Sequence, residues 1–291
     1  MQKYDISIYG LFAHPVQHSL SPLIHNTSFK KLDIPGIYLK FDIIPEHLTN
    51  AIAAIKALNI KGVNLSMPLK TAVIPFLDEL TPTAQQLNCV NTIINQDGYL
   101  KGDTTDGRGL ISSLNYNGIQ VQNKTITVLG AGGAGRAIIA ALNNQQAAKI
   151  NVFKRKNSSF LTRQQQLESW SPNIAVIDYQ DELALKESLE QSQIIINTTS
   201  LGMKPDKHLP ISLTALKQLR PQQVVIDIIY SPICTPLLQI AQQQGCHTFN
   251  GIGMLVHQAA QSFEEWTQQK MPIDLITNTI NNYLNNKSLN S

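Results

Sequence analysis

The segment that most restricts the fold of this chain runs Leu129-Gly130-Ala131-Gly132-Gly133-Ala134-Gly135-Arg136. A short apolar run, Thr125–Leu129, precedes it, and a helical pattern over Ala134–Leu142 follows. Strand, glycine cluster and helix in that order form the context a dinucleotide loop requires. Gly130 permits the tight turn, Gly132 lets the backbone approach a pyrophosphate with no Cβ in the way, and Gly135 lets the helix pack on the strand. Backbone N–H groups at the positive helix end then hold the phosphates, which makes Gly130, Ala131, Gly132, Gly133 and Ala134 the expected contacts. The same glycines also suit a βα turn that binds nothing. The next strand, Ile150–Phe153, completes the unit and favours the cofactor.

The end of that strand separates the two nicotinamide dinucleotides. A site for NAD normally carries Asp or Glu about 20 residues beyond the loop, on the ribose 2′-hydroxyl. Here the strand runs into Lys154-Arg155-Lys156-Asn157, with no carboxylate. Lysine and arginine attract a 2′-phosphate through charge-assisted hydrogen bonds, and a carboxylate repels it. Lys154, Arg155 and Lys156 therefore point to NADP, with NAD as the alternative. Without a ligand they make a solvated basic turn.

Strands and helices alternate along the rest of the chain, which predicts an α/β architecture. Tyr4–Leu11, Ile37–Ile43 and Gly62–Ser66 are expected strands, and Thr92–Ile94 and Tyr99–Lys101 flank Asn95-Gln96-Asp97-Gly98 as a hairpin. Ser21-Pro22 predicts a helix with Ser21 as its cap, and Pro45 starts another. Ile174–Ile177, Ile194–Asn197 and Val224–Asp227 follow as strands, then a helix over Met254–Trp266 and one more after Pro272. At 291 residues there is room for two cores. The expected organisation is an N-terminal α/β substrate domain over residues 1–106 and a Rossmann-type dinucleotide domain over 107–250. A cleft is expected between them, with the helices of 251–291 expected to return to the first domain.

Several function classes are disfavoured. A net charge of +3 with no basic stretch interleaved with aromatics does not suggest a nucleic-acid partner. No apolar run approaches the roughly 18 residues of a membrane span. Met1-Gln2-Lys3-Tyr4-Asp5 leads straight into a strand pattern and does not resemble a signal peptide. Cys89, Cys234 and Cys246 are odd in number and lack CxxC spacing, so neither disulfides nor a metal site is expected, and a reduced, cytoplasmic setting follows.

Polar residues beside element ends are the candidates for chemistry. His18-Ser19-Leu20-Ser21-Pro22 brings two hydroxyls to a helix start, which suits a carboxylate, although capping alone explains Ser21 equally well. Lys70 follows a strand, and Asp106 lies in Gly102-Asp103-Thr104-Thr105-Asp106-Gly107. Singly, each is an ordinary solvated or capping residue. As a pair they suit proton transfer at a secondary alcohol, the carboxylate fixing the ammonium and tuning its pKa.

In order, these segments resemble the shikimate dehydrogenase family from about Tyr4 to about Pro272. They are His18–Pro22, Asn64-Leu65-Ser66-Met67-Pro68-Leu69-Lys70, Val90-Asn91-Thr92, Gly102–Gly107, Gly130–Ala134, Asn197-Thr198-Thr199-Ser200, Asp227-Ile228-Ile229-Tyr230-Ser231-Pro232 and Gly251–Gln258. Ser66-Met67-Pro68 and Gly202-Met203-Lys204-Pro205 are similar to the quinate/shikimate branch. Ala13-His14-Pro15 stands where the family usually has Gly-x-Pro, Ser66 stands for the commoner Thr, and Lys154-Arg155-Lys156 for Asn-Arg-Thr.

The resemblance implies that Lys70 and Asp106 are the catalytic pair. It implies that Ser19, Ser21, Ser66, Asn91, Tyr230 and Gln258 hold a small-molecule substrate, with Thr198, Ile228 and Gly251 bordering the cofactor beside the glycine loop. It further implies a monomer or homodimer that reversibly reduces 3-dehydroshikimate to shikimate with NADPH, in the route to chorismate and the aromatic amino acids. The alternatives are quinate oxidation with NAD and a non-catalytic NADP-sensing regulator, and the intact Lys70, Asp106 and substrate hydroxyls argue against the regulator.

Overall fold

The computed structural model describes residues 6–203 and 205–289. Tyr4 and Asp5 of the first expected strand, and Lys204 of the Gly202–Pro205 segment, lie outside the described residues. In chain order the elements are β1 (Ser7–Ala13), α1 (Ser21–Lys31), β2 (Gly36–Asp42), α2 (Leu48–Ala57), β3 (Gly62–Leu65), α3 (Leu69–Ala72), β4 (Glu79–Leu80), α4 (Pro82–Leu87), β5 (Thr92–Gln96), β6 (Tyr99–Asp103) and α5 (Asp106–Tyr116). They continue as β7 (Thr125–Leu129), α6 (Gly133–Asn144), β8 (Lys149–Lys154), α7 (Phe160–Glu168), β9 (Ile174–Asp178), α8 (Glu182–Gln191), β10 (Ile194–Asn197), α9 (Leu213–Leu216), β11 (Val224–Asp227), α10 (Pro236–Gln243), β12 (His247–Phe249), α11 (Ile252–Thr267) and α12 (Ile273–Leu289). The chain divides into two compact units, Met1–Gly109 with Val256–Ser291, and Leu110–Leu255.

The first unit holds a mixed six-stranded sheet in the order β2-β1-β3-β5-β6-β4. The first three strands are parallel, and β5 runs antiparallel to both β3 and β6. Asp97 and Gly98, both at positive φ (52° and 94°), close the β5–β6 hairpin in the turn geometry that matches strand twist. On one face Phe12, Ile52, Ile55, Val63, Leu69 and Ile93 form the core. On the other, α1 and α11 bring Phe29, Phe263 and Trp266 against Tyr9 and Tyr38. Gly62 admits the indole: a Cβ there would stand 2.1 Å from Trp266 Nε1, which donates to Ile93 O at 3.0 Å.

Two local expectations are corrected here. Ser21 is the first residue of α1 and not its cap, because Leu20 takes a helical conformation (φ −91°, ψ −3°) at the cap position. Pro45 opens a short 3-10 turn, Pro45–His47, and the α-helix begins only at Leu48.

The second unit is a wholly parallel sheet in the order β12-β11-β10-β7-β8-β9. Strand order reverses between β7 and β10, and such a switch point opens a crevice at the carboxyl ends of the strands. The strands are near-continuous Ile, Val and Leu because helices cover both faces of a parallel sheet. Ile138, Ile139, Leu142 and Ile196 pack one side, and Leu129, Phe153, Ile195 and Leu237 the other. Among the described residues, no helix is long and apolar enough to cross a membrane.

Candidate active site

In the first unit, Lys70 on α3 and Asp106 at the start of α5 meet. Lys70 Nζ donates to Asp106 Oδ2 at 2.6 Å, with 21% and 11% of the two side chains exposed. Burial alone would lower the Lys70 ammonium. The charge and hydrogen bond of Asp106, with a smaller contribution from Cys89, outweigh it and hold the group above its ordinary value. The other carboxylate oxygen, Oδ1, accepts from Asn91 Nδ2 at 2.7 Å.

Asn91 is fixed in turn. Its Oδ1 accepts from the Thr105 N–H at 2.9 Å and from Thr92 Oγ1 at 3.0 Å, so the amide can present only its Nδ2 to Asp106. Thr105 Oγ1 donates to Gln258 Oε1 at 3.4 Å. Gly109 makes that approach feasible, since a Cβ there would lie 2.6 Å from Gln258 Cβ. Asp103 anchors the segment leading to Asp106, through Thr81 Oγ1 at 2.6 Å and the Arg108 guanidinium.

A buried amide extends the network toward the serines. Asn64 Nδ2 donates to Asn91 O at 3.2 Å and Ser262 Oγ at 3.0 Å, while its Oδ1 accepts from Tyr38 OH at 2.8 Å. Burial raises the Tyr38 phenol well above its ordinary range. Tyr38 stacks on His25, whose imidazole burial drives down to about 3, so the ring is neutral. Ser19 Oγ donates to Ser21 Oγ and accepts from the Ser21 N–H, both at 3.2 Å, while Leu20 at the cap position offers no side-chain bond. Ser66 follows β3, its N–H donating to Phe12 O at 3.0 Å. The sequence alone does not mark the Asn64 and Tyr38 side chains as parts of this network, because a polar residue inside a strand carries no signal until its partners are known.

In the second unit, the glycine turn lies at the switch point. Gly130 has φ +103°, and a Cβ there would stand 2.8 Å from Thr198 Oγ1. The Thr198 hydroxyl reaches Leu129 O at 3.0 Å and Gly130 O at 3.1 Å, locking the turn to the end of β10. Gly132 and Gly133 have nothing within 4 Å of where a Cβ would stand, and α6 starts with no side-chain cap. A phosphate chain fits that open backbone, whose first-turn N–H groups point outward. A cavity of about 960 Å³ adjoins the turn, lined by Gly130, Gly132, Arg155, Ser159, Arg163 and Thr198 among others. Its volume and basic wall suit a phosphorylated dinucleotide.

Of the basic segment, Lys154 and Arg155 line the cavity and Lys156 does not. Lys154 is the last residue of β8 and is buried, its Nζ donating to Asn157 Oδ1 at 2.6 Å and Arg155 O at 3.2 Å and lying over the Phe160 ring. Burial, then Arg163 and Arg155, lower its ammonium. Lys156 is exposed and does not line the cavity. Arg163 on α7 does, and the sequence does not disclose it because it opens a run of three glutamines typical of a solvated helix face.

Ile228 and Gly251 lie together away from the cavity wall. The Gly251 N–H donates to Ile229 O at 2.9 Å, and a Cβ on Gly251 would fall 1.9 Å from Ile228 O. Tyr230 follows on the same loop, its phenol raised by burial. Among the described residues, no group of three or more His, Cys, Asp or Glu is gathered as metal ligands.

Residues 11–93 match the family model for the shikimate dehydrogenase substrate binding domain, and residues 251–280 that for the shikimate 5′-dehydrogenase C-terminal domain. Residues 106–231 match the model for the alanine dehydrogenase/PNT C-terminal domain. The chain is 38% identical over 280 residues to the shikimate dehydrogenase (NADP(+)) of Streptococcus uberis, covering 94% of this chain and 95% of that one. It is similar in structure to the shikimate 5-dehydrogenase of Listeria monocytogenes solved with shikimate and NAD, at a TM-score of 0.89 and 36% identity over 94% and 96% of the two chains. It is also similar to the enzyme of Thermus thermophilus solved with NADP(H) and shikimate, at a TM-score of 0.85 and 27% identity over 95% and 99%.

Proposed function

The chain belongs to the shikimate dehydrogenase family, and from that premise we propose that it is the NADP-dependent enzyme that reversibly reduces 3-dehydroshikimate to shikimate. The observation that carries the reading is the Lys70–Asp106 pair at 2.6 Å, a hydrogen-bonded acid–base unit open enough to meet a ligand.

Bound NADPH supplies the hydride. The chain's own residues supply orientation, charge and a proton. Lys70, kept protonated by Asp106, donates to the carbonyl oxygen as negative charge develops there and takes the proton back in the reverse direction. Asn91 holds Asp106 in place and, with Gln258 and Ser66, orients the ring hydroxyls. Ser19 and Ser21 hold the carboxylate, and Tyr230 contributes a further hydroxyl to the substrate.

Gly130, Ala131 and Gly132, with Gly133 and Ala134 at the start of α6, hold the pyrophosphate. Arg155 and Arg163 take the 2′-phosphate. Thr198, Ile228 and Gly251 border the rest of the cofactor. The three cysteines lack the number and spacing of a disulfide framework, which supports a reduced, cytoplasmic setting; a monomer or homodimer is the assembly proposed.

The Ser66-Met67-Pro68 segment makes quinate the second substrate worth testing, and NAD the second cofactor. Absorbance at the NADPH wavelength, with shikimate and quinate each paired with NADP and NAD, tests the whole reading. Shikimate with NADP is expected to give the highest kcat/KM. Fastest turnover of quinate with NAD, or none in any combination, contradicts it.

A further inference from the structure

Asp227 is fully buried and plays no part in the proton chemistry proposed above. It ends β11 directly across from Asn197, which ends β10. Its Oδ1 accepts from Asn197 Nδ2 at 3.0 Å and from the Ile229 N–H at 3.1 Å. Its Oδ2 accepts from Thr235 Oγ1 at 2.7 Å, a hydroxyl that also caps α10 through the Leu238 N–H. Burial raises the Asp227 carboxyl above its ordinary range despite these three partners. A buried carboxyl is costly, and an apolar side chain of similar size fills space at least as well. Its hydrogen bonds are what distinguish it.

Those bonds lead to the cofactor turn. Asn197 Oδ1 accepts from the N–H and the Oγ1 of Thr199, at 3.1 and 2.8 Å. Thr198, beside it, holds Leu129 O and Gly130 O. The glycine turn, the Thr198–Thr199 turn and the Ile228–Tyr230 loop are therefore joined across the ends of three adjacent strands. From the other side, the bare Cα and N–H of Gly251 press on the same loop.

The geometry points to Asp227, seated on Asn197, as a positioning residue that sets where Tyr230 stands relative to the cofactor turn. This rests on the reading of Tyr230 as a substrate ligand. Asp227 acts on substrate binding only through that loop.

Steady-state kinetics on Asp227→Ala, Tyr230→Phe and the double variant test it, with NADP affinity followed by fluorescence titration. Asp227→Ala is expected to raise the KM for shikimate about tenfold while the Kd for NADP stays within about twofold. Asp227→Asn, whose amide oxygen still accepts from Ile229 and Asn197, brings that KM back to within about threefold of the parent. With Tyr230→Phe already present, Asp227→Ala adds less than about twofold, because coupled residues do not add.

Additive losses, or KM for shikimate and Kd for NADP rising together, overturn the proposal. If Tyr230→Phe leaves the KM unchanged, the reading of Tyr230 falls and the proposal falls with it. If Tyr230→Phe raises it and Asp227→Ala does not, only the proposal falls. Should Asp227→Ala fail to fold, Thr235→Val removes the bond to Oδ2 at near-constant volume and is expected to show the same split, reduced to about threefold. No split in that variant overturns the proposal equally.

Discussion

Asn91 Nδ2 and Asp106 Oδ1 lie 2.7 Å apart, on the opposite side of the carboxylate from the Lys70 ammonium. The carboxylate is thus gripped at both oxygens and cannot rotate away from the lysine. Removing the amide frees one oxygen and opens a gap in the Thr92–Thr105 network. Asn91→Ala is expected to lower kcat/KM for shikimate by at least about tenfold, or ~1.4 kcal/mol of transition-state stabilisation. Steady-state kinetics check it, and an unchanged kcat/KM would mean that Lys70 alone fixes Asp106.

The pH profile follows from the balance at Lys70. Burial favours the neutral amine, while the charge and hydrogen bond of Asp106 favour the ammonium and prevail. In Asp106→Asn the favourable charge is gone and burial dominates, so the folded-state pKa of Lys70 falls. The ammonium is then lost at lower pH, and the alkaline limb of 3-dehydroshikimate reduction moves to lower pH. The pH dependence of kcat for the two proteins measures this. A limb that stays in place would show that Lys70 is not the group that titrates.

Ser19 and Ser21 form one hydroxyl pair at the start of α1. Ser19→Ala and Ser21→Ala are each expected to raise the KM for shikimate about tenfold with little change in kcat, since a carboxylate contact is made equally in ground and transition states. NADP affinity stays at the parent value. If neither substitution moves the KM, the carboxylate binds elsewhere.

The 2′-phosphate is assigned to the two arginines that line the cavity. Arg155→Asp and Arg163→Ala are each expected to lower kcat/KM with NADP about tenfold or more, with kcat/KM for NAD preserved or raised. Lys156→Ala, outside the cavity wall, is expected to change little. A parallel loss with both cofactors in the arginine variants would place the phosphate elsewhere.

Local signals in the sequence are strong where backbone geometry dictates the residue. Gly130 needs positive φ, and Gly132 must leave the backbone bare, so the turn, its strand and its helix are legible in the order of residues alone. The hairpin at Asp97-Gly98 is legible for the same reason. The Lys70–Asp106 contact spans 36 residues, and no periodicity reveals such a pair. Only the order of the motifs, through the family resemblance, points to it.

The departures from expectation share a physical cause. Lys156 lies outside the cavity wall although its neighbours Lys154 and Arg155 line it, and Arg163 becomes a cavity residue only once α7 is docked beside β9. Ser21 loses the cap role because Leu20, a poor cap by composition, takes the helical conformation. Each of these outcomes is decided by packing, which local sequence does not encode.

Delivery of the proton by Lys70 is the central claim. Hydride addition to a carbonyl leaves an alkoxide unless a proton arrives with it, and the Lys70 ammonium, kept charged by Asp106, brings both a proton and a positive charge to the developing oxyanion, whereas the buried Tyr230 phenol is neutral. The most direct measurement is kcat for Lys70→Ala beside Tyr230→Phe, with NADP affinity recorded for both. The predicted result is a kcat about 10²- to 10⁴-fold lower for Lys70→Ala, the usual worth of a positioned acid–base group, an unchanged Kd for NADP, and a kcat largely retained in Tyr230→Phe. A near-normal kcat for Lys70→Ala, with turnover abolished in Tyr230→Phe, would contradict it and assign the proton to the tyrosine.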